Sequence, residues 1–319
     1  LNDCGELTLP GEKEQITAVR QGNAWTPLTS YGLLRISGEE AATFLQGQFS
    51  NDVRLLDDGQ QAQYGSYSTA KGRMLASFIG LRRSSTELLL VCSRDLLPAT
   101  LKRLSMFVLR AKVRLTDASA DFQCWGLAGD ALLSIAGSAL PAWSKAEFGS
   151  ASVVHLYPAE NQPRALLVAP ADAPTPTGPA LAPGLWDWSE VRSGVATLTA
   201  PVVDAFVPQM LNYESIGGVN FKKGCYPGQE VVARSQFRGT LKRRTYLAHA
   251  PSALAVGAEV FAPEDAEQPV GTVVQAAAAP GGGVDALVAL QIAAASGALH
   301  VGGVALTLLP LPYALLDDI

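Results

Sequence analysis

The sequence predicts a multidomain α+β protein whose last part is a small antiparallel barrel or sandwich. Three observations lead there. The chain has 319 residues, 48% of them hydrophobic and 17% charged, which is ample for a large core yet longer than the ~250–300 residues that one core usually serves. Strand-like alternating runs are mixed with short helical patterns through most of the chain. A proline-dense stretch, PADAPTPTGPALAPG over 170–184, reads as an extended connector that cannot pack a core of its own.

Taken in order, LLRISGEEAATFLQGQFSNDV after Gly32 predicts a strand, a turn and a short helix from Glu39 that buries Phe44 and Leu45. QAQYGSYSTAKGRMLASFIGLRR and ELLLVCS follow as antiparallel strands, with Thr69-Ala70-Lys71-Gly72 as the turn. The spacing of Leu97, Leu101, Leu104 and Val108 predicts a helix over 96–109, with Pro98 tolerated in its first turn. FQCWGLAG, ALLSIAGSAL, ASVVHLY and RALLVAP then read as strand, helix, strand, strand. A helix from about Leu185 to Gly194 follows the connector. Beyond Arg244 short strands and turn clusters such as Pro280-Gly281-Gly282-Gly283 give the barrel or sandwich rhythm. Ala286 to Leu316 holds no Asp, Glu, Lys or Arg, but its glycines and prolines cut it into strand lengths, so strands are expected and not a membrane helix.

Composition excludes several classes. Global disorder needs low hydrophobicity with high net charge, and neither is present. A net charge of −5 gives no global attraction to nucleic acid or anionic membranes. Cys4, Cys92, Cys124 and Cys225 lie far apart without a CxxC pair, so no zinc site or redox dithiol is expected and the thiols read as reduced. The first twenty residues show no apolar run behind a basic start, which points to a cytoplasmic chain without a signal peptide. His155, His249 and His300 are scattered, and phosphate-loop, dinucleotide-loop and GxSxG motifs are absent.

Chemistry concentrates in NFKKGCYPGQEVVARSQFRGTLKRR, residues 220–244. Seven basic residues stand here against Glu230 alone, so these 25 residues carry +6 and the rest of the chain −11. Cys225 lies in a glycine-bounded loop just before a predicted helix in which Glu230 and Arg234 are four apart. A thiol beside Lys222 and Lys223 and ahead of a helix start is placed where a thiolate is favoured. Packing as a small apolar residue is the competing reading for Cys225.

The string Lys223-Gly224-Cys225-Tyr226-Pro227-Gly228-Gln229-Glu230, with Ala233-Arg234 and Arg238-Gly239 after it, resembles the signature of the YgfZ family. Phe44-Leu45-Gln46-Gly47-Gln48 with Asn51-Asp52, Ala70-Lys71-Gly72-Arg73-Met74 and Gly217-Gly218-Val219-Asn220-Phe221 agree in order. That family comprises folate-binding proteins tied to iron–sulfur cluster assembly or repair, also named tRNA-modifying proteins, and is related to the glycine cleavage T-protein, an aminomethyltransferase. The resemblance implies a T-protein-like folate-binding fold: two α+β portions around a cleft, then a C-terminal antiparallel β-barrel. The implied domains are 1–117 plus 181–240 as a discontinuous folate-binding unit, 118–180 as a second α+β unit, and 241–319 as the barrel.

By position the resemblance assigns the pterin-facing aromatics to Tyr31 and Trp186, since a flat ring buries well between aromatic faces. It assigns further cofactor contacts to Gln229, Glu230, Arg234 and Arg238, and the working role to Cys225 with Lys223. The implied cofactor is tetrahydrofolate or a derivative such as the 5,10-methylene form, and no metal ligands are assigned. Implied partners are iron–sulfur proteins or their assembly machinery, with an indirect link to tRNA-modifying enzymes and none to a membrane. Arg192 stands where relatives commonly carry Glu, so Asp187 or Glu190 is left to meet the pterin's N–H edge. The T-protein's acidic pair is missing from Lys71-Gly72-Arg73-Met74-Leu75-Ala76. Without a carboxylate there, proton transfer at a one-carbon unit lacks its agent. An auxiliary folate-binding factor is therefore expected ahead of a folate-dependent aminomethyltransferase. An RNA-binding module built on 222–244 ranks third, because few aromatics interleave with the basic residues.

Overall fold

Three antiparallel sheets take up the apolar strand runs in a computed structural model that describes residues 23–238, 241–263 and 267–316. β1 (Asn23–Pro27) leads into β2 (Tyr31–Ser37), α1 (Ala41–Gln46), β3 (Ala62–Ser68), β4 (Met74–Ser84), β5 (Glu87–Ser93), α2 (Leu97–Ser105) and β6 (Arg114–Asp117). The first sheet has the order β3-β4-β5-β2-β6. Its inner strands are covered on both faces, which is why LLLV reads as an unbroken apolar run and LLRI is broken only by the partly exposed Arg35: Leu33, Leu34, Ile36, Leu89 and Leu90 are all buried. α2 stops at Ser105, short of the expected 109. Val108 still packs on the core, but from a turn that places Leu109 at φ +43°.

The second sheet comes from β7 (Phe122–Gly129), α3 (Asp130–Ala136), β8 (Lys145–Phe148), β9 (Ala151–Ala159) and β10 (Gln162–Pro170), in the order β1-β7-β10-β9-β8. Alternation along β7 serves two cores. Cys124 faces the main core, while Trp125 and Leu127 join Leu132, Val153 and Leu167 on the outer face. The implied 1–117 unit included β1, yet β1 pairs with β7 across Asn23–Pro27. The reason is apolar cover: Trp25 sets its ring edge-on to Trp125 at 5.2 Å and closes the outer cluster.

α4 (Pro183–Arg192) follows the connector, with Pro183 in the first turn after an extended Ala182. It rests on β13 and β14 of the third sheet and reaches β1 and β9 of the second. The chain then returns to the first sheet, where Leu198 donates its N–H to Ser77 Oγ at 2.9 Å and Asn220 to the Ser50 carbonyl at 3.0 Å. α5 (Gln229–Phe237) closes this stretch. β11 (Arg243–Ala250), β12 (Glu259–Val260), β13 (Gly271–Ala278), β14 (Val284–Gln291), β15 (Leu299–Val301) and β16 (Val304–Leu309) form the third sheet, β12-β13-β14-β11-β16-β15. Phe261 and His300 exchange backbone hydrogen bonds of 2.9 and 3.0 Å beside its two edges. The sheet is thereby a nearly closed six-stranded barrel, and the alternative of a sandwich falls away. The uncharged 286–316 run supplies β14, β15 and β16. No helix among the described residues is long and apolar enough to cross a membrane.

Candidate functional site

α4 is the element that positions the site, because two of its faces are buried against different partners. Trp186 lies flat over Gly126 of β7, where a Cβ would come within 2.6 Å of the indole. Glycine is required at 126 by that approach. The next turn of the helix brings Glu190 to the hydroxyl of Tyr31, which donates to Oε2, and to Arg164 of β10, which donates to Oε1. The Arg164 guanidinium also stacks on the Trp186 ring, 4.4 Å from its centroid. Arg164 is only 2% exposed and Glu190 12%, so this pair is held away from bulk water. Burial first, and then the charge of Glu190, push the Tyr31 phenol well above its ordinary range.

Tyr31, Trp186, Asp187 and Glu190 line one cavity of about 220 Å³, closed on the barrel side by Val274 and Gln275. Two polar groups on its lining residues stand out. The indole Nε1–H of Trp186 is buried without a hydrogen-bond partner among the described residues. Asp187 has its carboxyl raised, by burial and then by Glu190. The Gln275 amide oxygen is already satisfied by the Thr197 N–H at 3.1 Å. Behind Tyr31 lies a chamber of about 20 Å³, the room of a water molecule, walled by Tyr64, Trp143, Tyr157 and Arg164. Tyr64 stacks on Trp143 at 4.9 Å and donates its hydroxyl to the Ala196 carbonyl, and burial pushes its phenol up to about 12.

Arg192 turns the other way. Its guanidinium binds Glu160 and reaches Asp285 Oδ2 at 3.4 Å. The arginine in place of the relatives' acid therefore does not face the cavity of Tyr31 and Trp186, and both carboxylates left as substitutes do.

The loop of Cys225 sits elsewhere, against the turns of the first sheet. Lys223 is buried and donates Nζ–H bonds to the carbonyls of Gln46, at 2.6 Å, and Phe49, with the Tyr226 ring 4.8 Å away. A Cβ on Gly228 would lie 2.5 Å from the Gly72 Cα, so the glycines of the 71–73 and 223–230 motifs touch through bare backbone. Asn51 Nδ2 bridges the carbonyls of Tyr64 and Gly217, at 2.8 and 2.6 Å. The 44–48 and 70–74 motifs thus touch this loop, and Asn51 ties in the 217–221 motif that leads into it. Cys225 itself is exposed, whereas Cys92 and Cys124 are buried; Cys4 lies outside the described residues.

The expected cofactor residues thus divide into two groups. Tyr31 and Trp186 share the cavity; Gln229, Glu230, Arg234 and Arg238 are on or just after α5 and do not line it. Glu230 and Arg234 form an exposed pair at 2.9 Å. The basic segment is also less of a patch than its composition suggests. Lys223 is an anchor, and Arg244 is buried with Nη1 on Glu214 Oε1 at 2.7 Å. Sequence reading missed Arg164, Trp143, Tyr64 and Tyr157. For Arg164 the signal was a charged residue opening the apolar run ALLVA; the aromatics had none. Among the described residues no three His, Cys, Asp or Glu side chains gather as a metal site requires.

Anchoring of Lys223 has a pH signature. Burial pulls its ammonium down to about 8, against the opposing charge of Asp52. An unfolded lysine keeps its proton to about pH 10, so between about pH 8 and 10 the unfolded state binds the extra proton and stability rises with pH. The stability advantage of the native chain over Lys223→Met is expected to grow across that window in urea titrations. A difference independent of pH would place Nζ in water.

No family model matches the chain. A tRNA-modifying protein YgfZ of Colwellia psychrerythraea is 33% identical over 231 residues, 69% of each chain. The protein of that name from Hamiltonella defensa is 30% identical over 258 residues, 76% of this chain and 72% of the relative. The solved aminomethyltransferase T of the Bartonella henselae glycine cleavage system has the same fold, with a TM-score of 0.69 over 98% of this chain and 91% of that one, at 16% identity.

Proposed function

The chain belongs to the YgfZ family of tRNA-modifying proteins, and from that premise we propose that it binds a reduced folate in the cavity of Tyr31 and Trp186. In this reading it is an auxiliary factor of iron–sulfur cluster assembly or repair in the cytoplasm, on which tRNA thiomodification depends, with Cys225 as its working residue.

The observation that carries the folate reading is that two aromatic residues, Tyr31 and Trp186, and two carboxylates, Asp187 and Glu190, line one cavity. A pterin presents a carbonyl and ring nitrogens that accept, next to N–H groups that donate. The carboxylates of Asp187 and Glu190 are acceptors on the cavity wall, and the Nε1–H of Trp186 is a buried donor without a partner among the described residues. Burying a donor unpaired costs about 1–3 kcal/mol, which a ligand acceptor would recover. The residues fit the group. A bound tetrahydrofolate supplies a carrier for one-carbon units. Tyr31 and Arg164 hold Glu190 in place, and Trp186, packed against Gly126 and Arg164, forms part of the cavity wall. Titration of the protein with 5-formyltetrahydrofolate by calorimetry tests this. Stoichiometric binding that vanishes in Asp187→Asn/Trp186→Phe is the expected result, and no heat at millimolar folate would overturn it.

Cys225 supports the second half. It is an exposed thiol on a loop pinned at Lys223 and Gly228, so it can meet a partner without unfolding. Burial pushes Cys92 and Cys124 up to about 12. Cys225 is accordingly expected to be alkylated by iodoacetamide at least roughly a hundredfold faster than either. Equal labelling, read by mass spectrometry on the folded protein, would leave Cys225 a packing residue.

A further inference from the structure

The opposite face of α4 walls a second and larger cavity. Leu185, Trp188 and Arg192 face it from the helix, and Trp186, Asp187 and Glu190 face the first cavity, so one helix separates the two. The second cavity measures about 430 Å³, within the ~300–1,000 Å³ range of small-molecule sites. Its far wall is barrel: His249 of β11, Asp285 of β14, Leu309 of β16 and the hairpin tip around Pro280.

Asp285 organises the polar part. It is almost fully buried, and its Oδ2 accepts from Trp188 Nε1–H at 2.8 Å and lies 3.4 Å from Arg192 Nη1, while its Oδ1 lies 2.8 Å from His249 Nδ1. These three donors occupy both oxygens of the carboxylate. Arg192 is in turn shared between Asp285 and Glu160. A carboxylate on Nδ1 keeps a proton on that nitrogen, so in the neutral imidazole the Nε2 lone pair is an acceptor. That nitrogen has no partner among the described residues and sits over Gly283, where a Cβ would approach it to 3.1 Å. Thr307, opposite His249 in the ladder, adds an exposed hydroxyl. The mouth is bare backbone: a Cβ on Gly281 or Gly282 would meet nothing within 4 Å.

Apolar walls, an indole ring, the His249 acceptor, the Thr307 hydroxyl and a carboxylate whose two oxygens are both occupied define a ligand class. We infer that this barrel-side cavity is a second binding site, for an uncharged planar aromatic molecule that carries one N–H or O–H donor for His249 Nε2. An anion would find its cations already paired, and a cation would find its carboxylate already full. The site is independent of the folate reading, because none of its lining residues lines the first cavity.

Indole and benzothiophene are near-isosteres that differ in the N–H donor, and titration of the full chain with each, followed by NMR line shifts including the Trp188 Nε1–H, tests the inference. Indole is expected to bind, and benzothiophene to bind roughly fivefold more weakly, the scale of one net hydrogen bond. Gly281→Phe, at a backbone position without left-handed strain, should fill the mouth and abolish indole binding while 5-formyltetrahydrofolate binds that variant as it binds the native chain. His249→Phe removes the acceptor and should make the two probes equal. Absence of indole binding, equal affinity for both probes in the native chain, or unchanged binding in Gly281→Phe would each overturn the inference. Should Gly281→Phe fail to fold, the native-chain probe ratio and His249→Phe decide it.

Discussion

Arg164→Met is expected to lower the unfolding free energy by about 3–5 kcal/mol, the cost of leaving one partner of a buried ion pair uncompensated. Arg164 is 2% exposed and is bound to Glu190 with its guanidinium over Trp186. Methionine fills much of the same volume, so the loss measures charge more than packing. Glu190 would keep only the Tyr31 hydroxyl. A double variant, Arg164→Met with Glu190→Gln, removes both charges and should regain at least half of the loss, because the desolvated carboxylate is gone. Urea unfolding followed by far-UV circular dichroism reads both. A single-variant loss under about 1 kcal/mol would show that Glu190 is hydrated and that the cavity is wetter than its walls imply.

Much of the fold was legible because its signals are local. Strand alternation, the Pro98 helix start and the glycine turns of the barrel appear where the sequence puts them, while the helix expected from Leu185 begins two residues earlier, at Pro183. What was not legible is which partner each element chooses. β1 crosses to the second sheet because the edge of β7 and the ring of Trp125 need cover, and nothing in NAWTP itself encodes that. The site shows the same division. Motif residues were visible as motifs, yet their convergence is on the Cys225 loop, where Gly72 and Gly228 touch and Lys223 plugs the turn of Gln46 to Phe49. The cavity instead is made of single residues far apart in the chain: Tyr31, Arg164, Trp186 and Glu190 are joined only by tertiary contact. Composition misled once. Seven basic residues in 220–244 suggest an anion-binding face, but the ones that snorkel inward, Lys223 and Arg244, do structural work at buried carbonyls and at Glu214.

Trp186→Ala should weaken 5-formyltetrahydrofolate binding about 10- to 100-fold, the range of a buried aromatic anchor. The indole is only 2% exposed and packs against Gly126 and Arg164. Alanine there also removes core packing worth about 3–5 kcal/mol and frees Arg164 to move. Trp186→Phe separates these effects. It keeps a ring over Gly126 and most of the stacking on Arg164, and deletes the Nε1–H that is buried without a partner. In the ligand-free protein that deletion relieves an unpaired donor, so Trp186→Phe should be no less stable than its lost volume predicts. If the pterin carbonyl accepts from that N–H in the complex, the same deletion should lower affinity roughly fivefold to tenfold. Stability nearly kept and affinity lost is the pattern that assigns the indole N–H to the ligand. Affinity unchanged in the phenylalanine variant, with the alanine variant weakened only in proportion to its unfolding, would reduce Trp186 to a core residue and move the folate elsewhere.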